Sequence, residues 1–384
     1  MNCRRSGARI SDNICAPGFP CGGGWGRLPL TRTPTPMLAA LLTTGFFAVT
    51  AVFARRAALL LGPTAANCWR LLLATAVLGG WTALAGRGLG VAWGWFFLGG
   101  VAGFGLGGLA MFHSLPRAGS NLSTLTVQCG SVAVALVGEW LWLGMAPTPP
   151  QLVCIGAILV GVLLGLAPGG LPQFEPRQLR LGAALAALSA VGQGAGQVLS
   201  RKAFLVARGL GSPVDPVTAA FERGVAGVLV ALLAVGVVWA WRRRVRDVAR
   251  SENGPDTLLR QGSEGRARSD PADGRGGCAS APAPQPSAFS VQSSVFLRAW
   301  PWVVLNALTG PVLGVVCLQW ALRSTPAGVV QSVVALAPLL TAPLAWRLGE
   351  AVPRARYFAG AGLAVVATAG LFWPEVERWW ALSR

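Results

Sequence analysis

Six amides and a lone histidine are the side chains inside the long apolar runs that could handle a solute: Gln128, Gln193, Gln197, Asn306, Gln319, Gln331 and His113. Polar groups are costly in hydrocarbon, so they turn toward a protein interior or a water-filled cavity. Gln193 and Gln197 are four residues apart and share one face of a helix. Each amide taken alone reads first as an interhelical hydrogen bond. As a set spread over both halves of the chain, they fit a polar central cavity. His113 can change its charge near neutral pH and is the candidate for proton coupling. The plainer reading is an interfacial histidine with no task. Glu222 and Arg223 are adjacent and point about 100° apart on a helix, so they need not pair with each other. Glu139 and Glu350 stand near the ends of apolar runs, where reaching out to the interface is the cheaper expectation.

Enzyme chemistry has little to work with. The chain holds no GxxxxGK[ST] phosphate loop, no HExxH and no GxSxG. Its eight cysteines include no CxxC, and Cys68, Cys129, Cys154 and Cys317 lie in or beside apolar stretches as small packing residues. Neither a metal site nor a cofactor is expected.

The elements that must position these residues follow from composition. Of 384 residues, 53% are hydrophobic and 12% charged, against about a quarter charged in a soluble domain. A spanning helix needs about 20 mostly apolar residues. The runs 37–54, 67–85, 91–112, 119–143, 151–167, 181–200, 217–240, 299–320, 326–346 and 357–373 qualify, the sixth being weakened by its two glutamines. Backbone groups in lipid must be satisfied within the segment, which makes these spans helices. The fold class expected is an all-α membrane protein, with the lipid bilayer as its principal partner. The net charge of +18 invites a nucleic-acid reading. We set it aside, because basic residues in the loops and tails of a membrane protein bias topology.

Two stretches are not membrane-like. Residues 1–36 are rich in Gly, Pro and Arg and read as a disordered tail; Met37 opens the first apolar run, so an overlong start is the alternative. Residues 242–297 begin RRRVRDVARSENGPD and end in SAPAPQPSAF, a composition expected to give a disordered basic loop. The basic residues lean mildly toward cytoplasmic termini.

A repeat organises the rest. AWGWFFL at 92–98 returns as AWPWVVL at 299–305, an offset of 207, and Gly103 and Gly107 return as Gly310 and Gly314. AVFARRA (51–57) resembles QVLSRKA (197–203), and WRLLLATAVL (69–78) resembles ERGVAGVLVAL (222–232), pairing Arg70 with Arg223. Five spans separate the copies. Each crossing reverses direction, so the second copy should be inverted, an arrangement common in secondary transporters. Gly99, Gly103 and Gly107 form one smooth helix face and Gly310 and Gly314 another, as close helix packing requires. Most tryptophans near span ends read as interfacial anchors.

The stretch ALRSTPAGVVQSVVALAPLLTAPLAWRLGEAVPRARYFAGAGLAVVATAGL (321–371) resembles the second repeat of EamA-type transporters of the drug/metabolite transporter (DMT) superfamily. LVGEWLWLGMAPTPPQLVCIGAILVGVLLGL (136–166) resembles the first, with Met145 where the family usually has glutamate. The resemblance implies ten transmembrane helices in two inverted five-helix repeats, at 37–168 and 181–374, the second interrupted by 242–297 and followed by a tail at 375–384. It implies export or exchange of a small organic metabolite, such as an amino acid or amphipathic compound. The setting implied is a bacterial inner (plasma) membrane, with a proton or counter-solute as the coupled species. Two rival readings stand beside it: a membrane-embedded enzyme on lipid-linked substrates, and a non-transporting scaffold using the basic loop.

Overall fold

The computed structural model describes residues 36–85, 89–166, 175–252, 288–347 and 355–383, all within the compact unit Thr35–Arg384. Of the tail expected at 1–36, residues 1–35 lie outside the described residues and Pro36 opens the first helix; the stretch 253–287 also lies outside them. Every regular element among the described residues is a helix. The helices are α1 (Pro36–Leu61), α2 (Pro63–Leu84), α3 (Trp93–Gly100), α4 (Gly108–Leu143), α5 (Pro149–Leu166), α6 (Pro176–Gly209), α7 (Pro216–Glu252), α8 (Ala288–Ala307), α9 (Val315–Leu322), α10 (Ala327–Val334), α11 (Ala337–Arg347) and α12 (Ala355–Ser383). Eight helical stretches are long and apolar enough to cross a membrane. The other two long helices, α2 and α6, fall outside the eight. Asn67 and Arg70 interrupt α2, while Gln193, Gln197, Arg201 and Lys202 interrupt α6.

Where helix boundaries depart from the apolar runs, the causes are local. The expected loop at 242–297 is helical at both ends, because α7 continues to Glu252 and α8 starts at Ala288. Arginine is a good helix former, and the Arg243 guanidinium stacks over the Trp239 ring one turn back, 3.5 Å from its centroid. The span expected at 326–346 is broken into α10 and α11 across Ala335 and Leu336. Pro338 has no N–H to give the turn before it, which weakens a continuous ladder there. The carbonyl that Pro338 leaves without a helical donor is Val334 O, which the Gln128 Nε2 reaches at 3.5 Å, a long bond. Pro343 strands Leu339 O in the same way, and Tyr357 Oη donates to it at 2.7 Å. Thr44 Oγ1 adds a bond to Val333 O at 3.1 Å.

Each AWxW line leads into an unusual turn. Val101–Gly107 and Leu308–Gly314 are both seven-residue π-helical segments, and they stand 207 residues apart. A π-segment is a widened turn that often marks functional regions. Further along, α4 bends at Gly119, whose φ of 76° and ψ of 161° suit only a residue without Cβ.

The packing is as ordered as the sequence. α3 and the first π-segment pack on α6 and α7, while α8 and the second π-segment pack on α1 and α2. α2 lies against α7, α4 against α10, and α5 against α12.

Two buried charges hold the junction between α9 and α10. Glu139, expected at the interface, is instead 2% exposed. Its Oε1 accepts from Ala327 N at 2.5 Å and its Oε2 from Gly328 N at 2.8 Å. These are the unpaired N–H groups of the first turn of α10, where negative charge is favoured. Arg201 of α6, also buried, donates to Leu322 O at 2.9 Å, at the carbonyl end of α9. Glu350 lies outside the described residues.

Candidate functional site

The packing leaves a central cavity of about 200 Å³. Residues of α1, α2, α4, α6, α7, α8, α9, α11 and both π-segments line it. α5 and α12 pack against each other away from it.

Of the six amides, the fold brings Gln128, Gln193, Gln197 and Asn306 to the cavity wall. Asn306 Oδ1 accepts from Thr50 Oγ1 at 2.8 Å, tying α8 to α1, and its Nδ2 has no partner. Gln197 is 3% exposed and its Oε1 is unpartnered. Gln193 Nε2 reaches Ser189 Oγ at 3.4 Å, a long bond. Gln331 does not line the cavity. It donates to Ser131 Oγ at 2.6 Å and to Gln128 Oε1 at 3.3 Å, fixing the Gln128 amide from behind. Gln319 also lies off the cavity, fully buried, and neither of its amide atoms has a partner. His113 lies away from the wall, half-buried, with Nε2 3.1 Å from Thr64 Oγ1.

The glycines divide by what their missing side chains admit. A Cβ on Gly99 would come within 2.9 Å of Gly196 O, and one on Gly107 within 3.3 Å of Gln193 N, so both bring their helix against the α6 backbone. Gly314 makes room for the Phe47 ring and Gly310 for the Thr50 hydroxyl. At Gly103 a Cβ would stand 2.9 Å from Arg223 Nη2, so that position holds open the space of a cavity-lining guanidinium.

Residues that the amide pattern missed are the arginines. Arg70 and Arg223 both line the cavity, together with Arg55. In the sequence Arg70 and Arg223 stand out as matched positions of the repeat, and Arg223 also as the neighbour of Glu222. A cation deep in an apolar run, with no acidic residue a helical turn away, is the signal that marks them. Arg223, 2% exposed, donates from Nη1 to Ser200 Oγ at 2.5 Å and Gly196 O at 3.2 Å, and its Cζ lies 5.1 Å from the Phe104 ring centroid. Arg70 donates from Nε and Nη2 to Asn67 Oδ1 at 3.1 and 2.9 Å, and its Cζ lies 4.8 Å from the Phe112 centroid. Phe104 and Phe112 thus give each guanidinium an aromatic neighbour at the cavity wall.

The model of the EamA-like transporter family matches residues 34–166 and 279–373, more than half of the chain. The chain belongs to the EamA-like transporter family. EamA proteins are membrane transporters rather than enzymes, and the cavity and apolar helices described above are those of a multi-pass integral membrane transporter of the DMT superfamily. A solved structure titled "Crystal structure of protein" is similar in fold, with a TM-score of 0.58 at 17% identity over 87% of this chain and 95% of that one. No curated protein matches the chain in sequence.

Proposed function

We propose that this EamA protein is a secondary transporter of a small organic metabolite, working by export or exchange through alternating access. The observation that carries the reading is the central cavity, walled by Gln128, Gln193, Gln197 and Asn306. Its 200 Å³ lies below the roughly 300–1,000 Å³ of pockets for drug-sized ligands, in keeping with a small solute.

In this reading ten helices cross a bacterial inner membrane as two inverted repeats, 37–168 and 181–374. Support comes from the two π-segments at one offset and from several packing contacts that exchange with one another when the halves are exchanged. Pairing α1 with α6 and α2 with α7 turns the contacts of α3 on α6 and α7 into those of α8 on α1 and α2. The contacts α2 on α7, α4 on α10 and α5 on α12 map onto themselves, as contacts across a two-fold axis must. The Gly99, Gly103 and Gly107 face against α6 offers a smooth surface for one half to rock on the other. His113 is a coupling residue only if a proton path reaches it through Thr64.

Counterflow tests the proposal. Proteoliposomes preloaded with members of a metabolite panel should take up the matching labelled compound faster than protein-free vesicles. Equal rates across a broad panel would overturn it. Deleting 253–287 should leave that uptake within about twofold of the full chain, because the described cavity wall draws no residue from the stretch. A scaffold built on the basic loop would instead lose its role.

A further inference from the structure

Among the described residues the cavity wall carries Arg70 and Arg223, with Arg55 nearby, and no aspartate or glutamate. Guanidinium groups stay protonated across the physiological range, so the wall is positively charged at every working pH. Among the described residues, neither Arg70 nor Arg223 has a carboxylate partner. Arg70 spends its bonds on the Asn67 amide oxygen, and Arg223 on a serine hydroxyl and a backbone carbonyl. A guanidinium carries five N–H donors. Arg223 Nε is buried without a partner, and so are the amide donors Nδ2 of Asn306 and of Asn67 beside Arg70.

Burying a charge without a counter-ion costs several kcal/mol, and lipid offers no relief. Neutral oxygens and two phenyl faces offset part of that cost. Among the described residues no carboxylate balances the two guanidinium groups. The surplus is of donors and positive charge, and the surrounding Phe104, Phe112, Met111 and Leu115 suit an organic body.

We propose that the transported solute is a small organic anion whose carboxylate or phosphoryl group is held by Arg70 and Arg223. This rests on the transport reading above and names its substrate class. Both anionic groups present the acceptor geometry that a guanidinium fork engages in paired hydrogen bonds. The two arginines come from α2 and α7, which pack together and are equivalent in the repeat, so each half supplies one. Neutralising both would favour closure over the loaded cavity and disfavour closure over the empty one.

The test uses four probes of similar size: phenylacetate, phenyl phosphate, phenylacetamide and phenethylamine. Binding is read on the full chain in detergent as a concentration-dependent rise in melting temperature, and transport as competition in counterflow. Phenylacetate or phenyl phosphate should stabilise the protein, and whichever does so identifies the anionic group. The neutral amide and the amine should not. Arg223→Gln and Arg70→Gln should each weaken anion binding about ten- to a hundredfold, the loss of a charged hydrogen-bond partner, with elution volume unchanged. Should Arg223→Gln fail to elute as one species, Arg223→Lys serves: it keeps the charge, loses the fork, and should bind the anion more weakly than wild type. Equal stabilisation by phenylacetamide and phenylacetate, or unaltered anion binding in both glutamine variants, would overturn the assignment. Transport of neutral compounds alone, with no competition by anions, would reject the anion while leaving the transporter intact. Anion binding with no flux of any compound would reject the transporter instead.

Discussion

Glu139→Ala is expected to destabilise the protein by about 2–5 kcal/mol, the cost of stranding buried N–H donors and losing a charged partner. The carboxylate accepts from both Ala327 and Gly328, at the start of a helix that begins inside the protein. Alanine leaves those donors with neither water nor carboxylate. Glutamine should cost less, since one amide oxygen still accepts while its NH2 group opposes the second N–H. The damage should also reach the cavity. α10 carries Gln331, whose amide fixes Gln128 at the wall. A melting curve of the detergent-purified protein checks the order, wild type above Glu139→Gln above Glu139→Ala. A Glu139→Ala melting temperature equal to that of wild type would mean the carboxylate does not cap α10.

The second large effect is expected at the crossing of α5 and α12. A Cβ on Gly161 would stand 2.6 Å from Gly360 O, and one on Gly360 would meet Gly161 O and stand 2.5 Å from Gly165 N. Both obstacles are backbone, which cannot swing aside as a side chain can. Gly360→Val must therefore separate the helices. Overpacking typically costs about 1–3 kcal/mol, and a backbone clash on this scale belongs at or above the upper end. The crossing lies away from the cavity, so the expected signature is loss of folded protein, not an altered substrate profile. Size-exclusion chromatography of Gly360→Val and the milder Gly360→Ala separates the two. A monodisperse Gly360→Val with normal melting would contradict the tight crossing.

How far the molecule could be read from its sequence is clearest at individual residues. The run at 37–54 lies within α1 and that at 151–167 nearly coincides with α5, because hydrocarbon imposes both length and apolarity on a span. The two π-segments follow the AWxW lines at the same offset, but nothing in the residue types announced a widened turn and no such turn was expected. The break between α10 and α11 was signalled only by Pro338, inside a run apolar enough for one continuous helix.

The site was half legible, for a physical reason. In a helix that is apolar all round, the pattern does not distinguish the lipid-facing side from the protein-facing side. The apolar run at 299–320 illustrates the problem: Asn306 and Gln319 are equally polar interruptions there, yet one lines the cavity and the other is packed away from it. The arginines, which were not among the expected site residues, carry a sharper signal than the amides. A buried amide can be satisfied by any neighbouring helix, whereas a buried guanidinium requires a counter-charge or a cavity. Glu139 misled for the complementary reason. Its place at a span end suggested exposure, and its partner is a helix start 188 residues away in sequence.

Alternating access requires that one cavity open in turn to the two sides of the membrane. A cysteine placed at Ala51, on the cavity wall, in a background lacking the eight native cysteines, tests it with a membrane-impermeant thiol reagent. The reagent is applied to right-side-out and to inverted vesicles. Labelling of Ala51→Cys from both sides, suppressed from both by a transported solute, is the predicted result. Labelling from one side only, whatever solute is present, would contradict alternating access through this cavity.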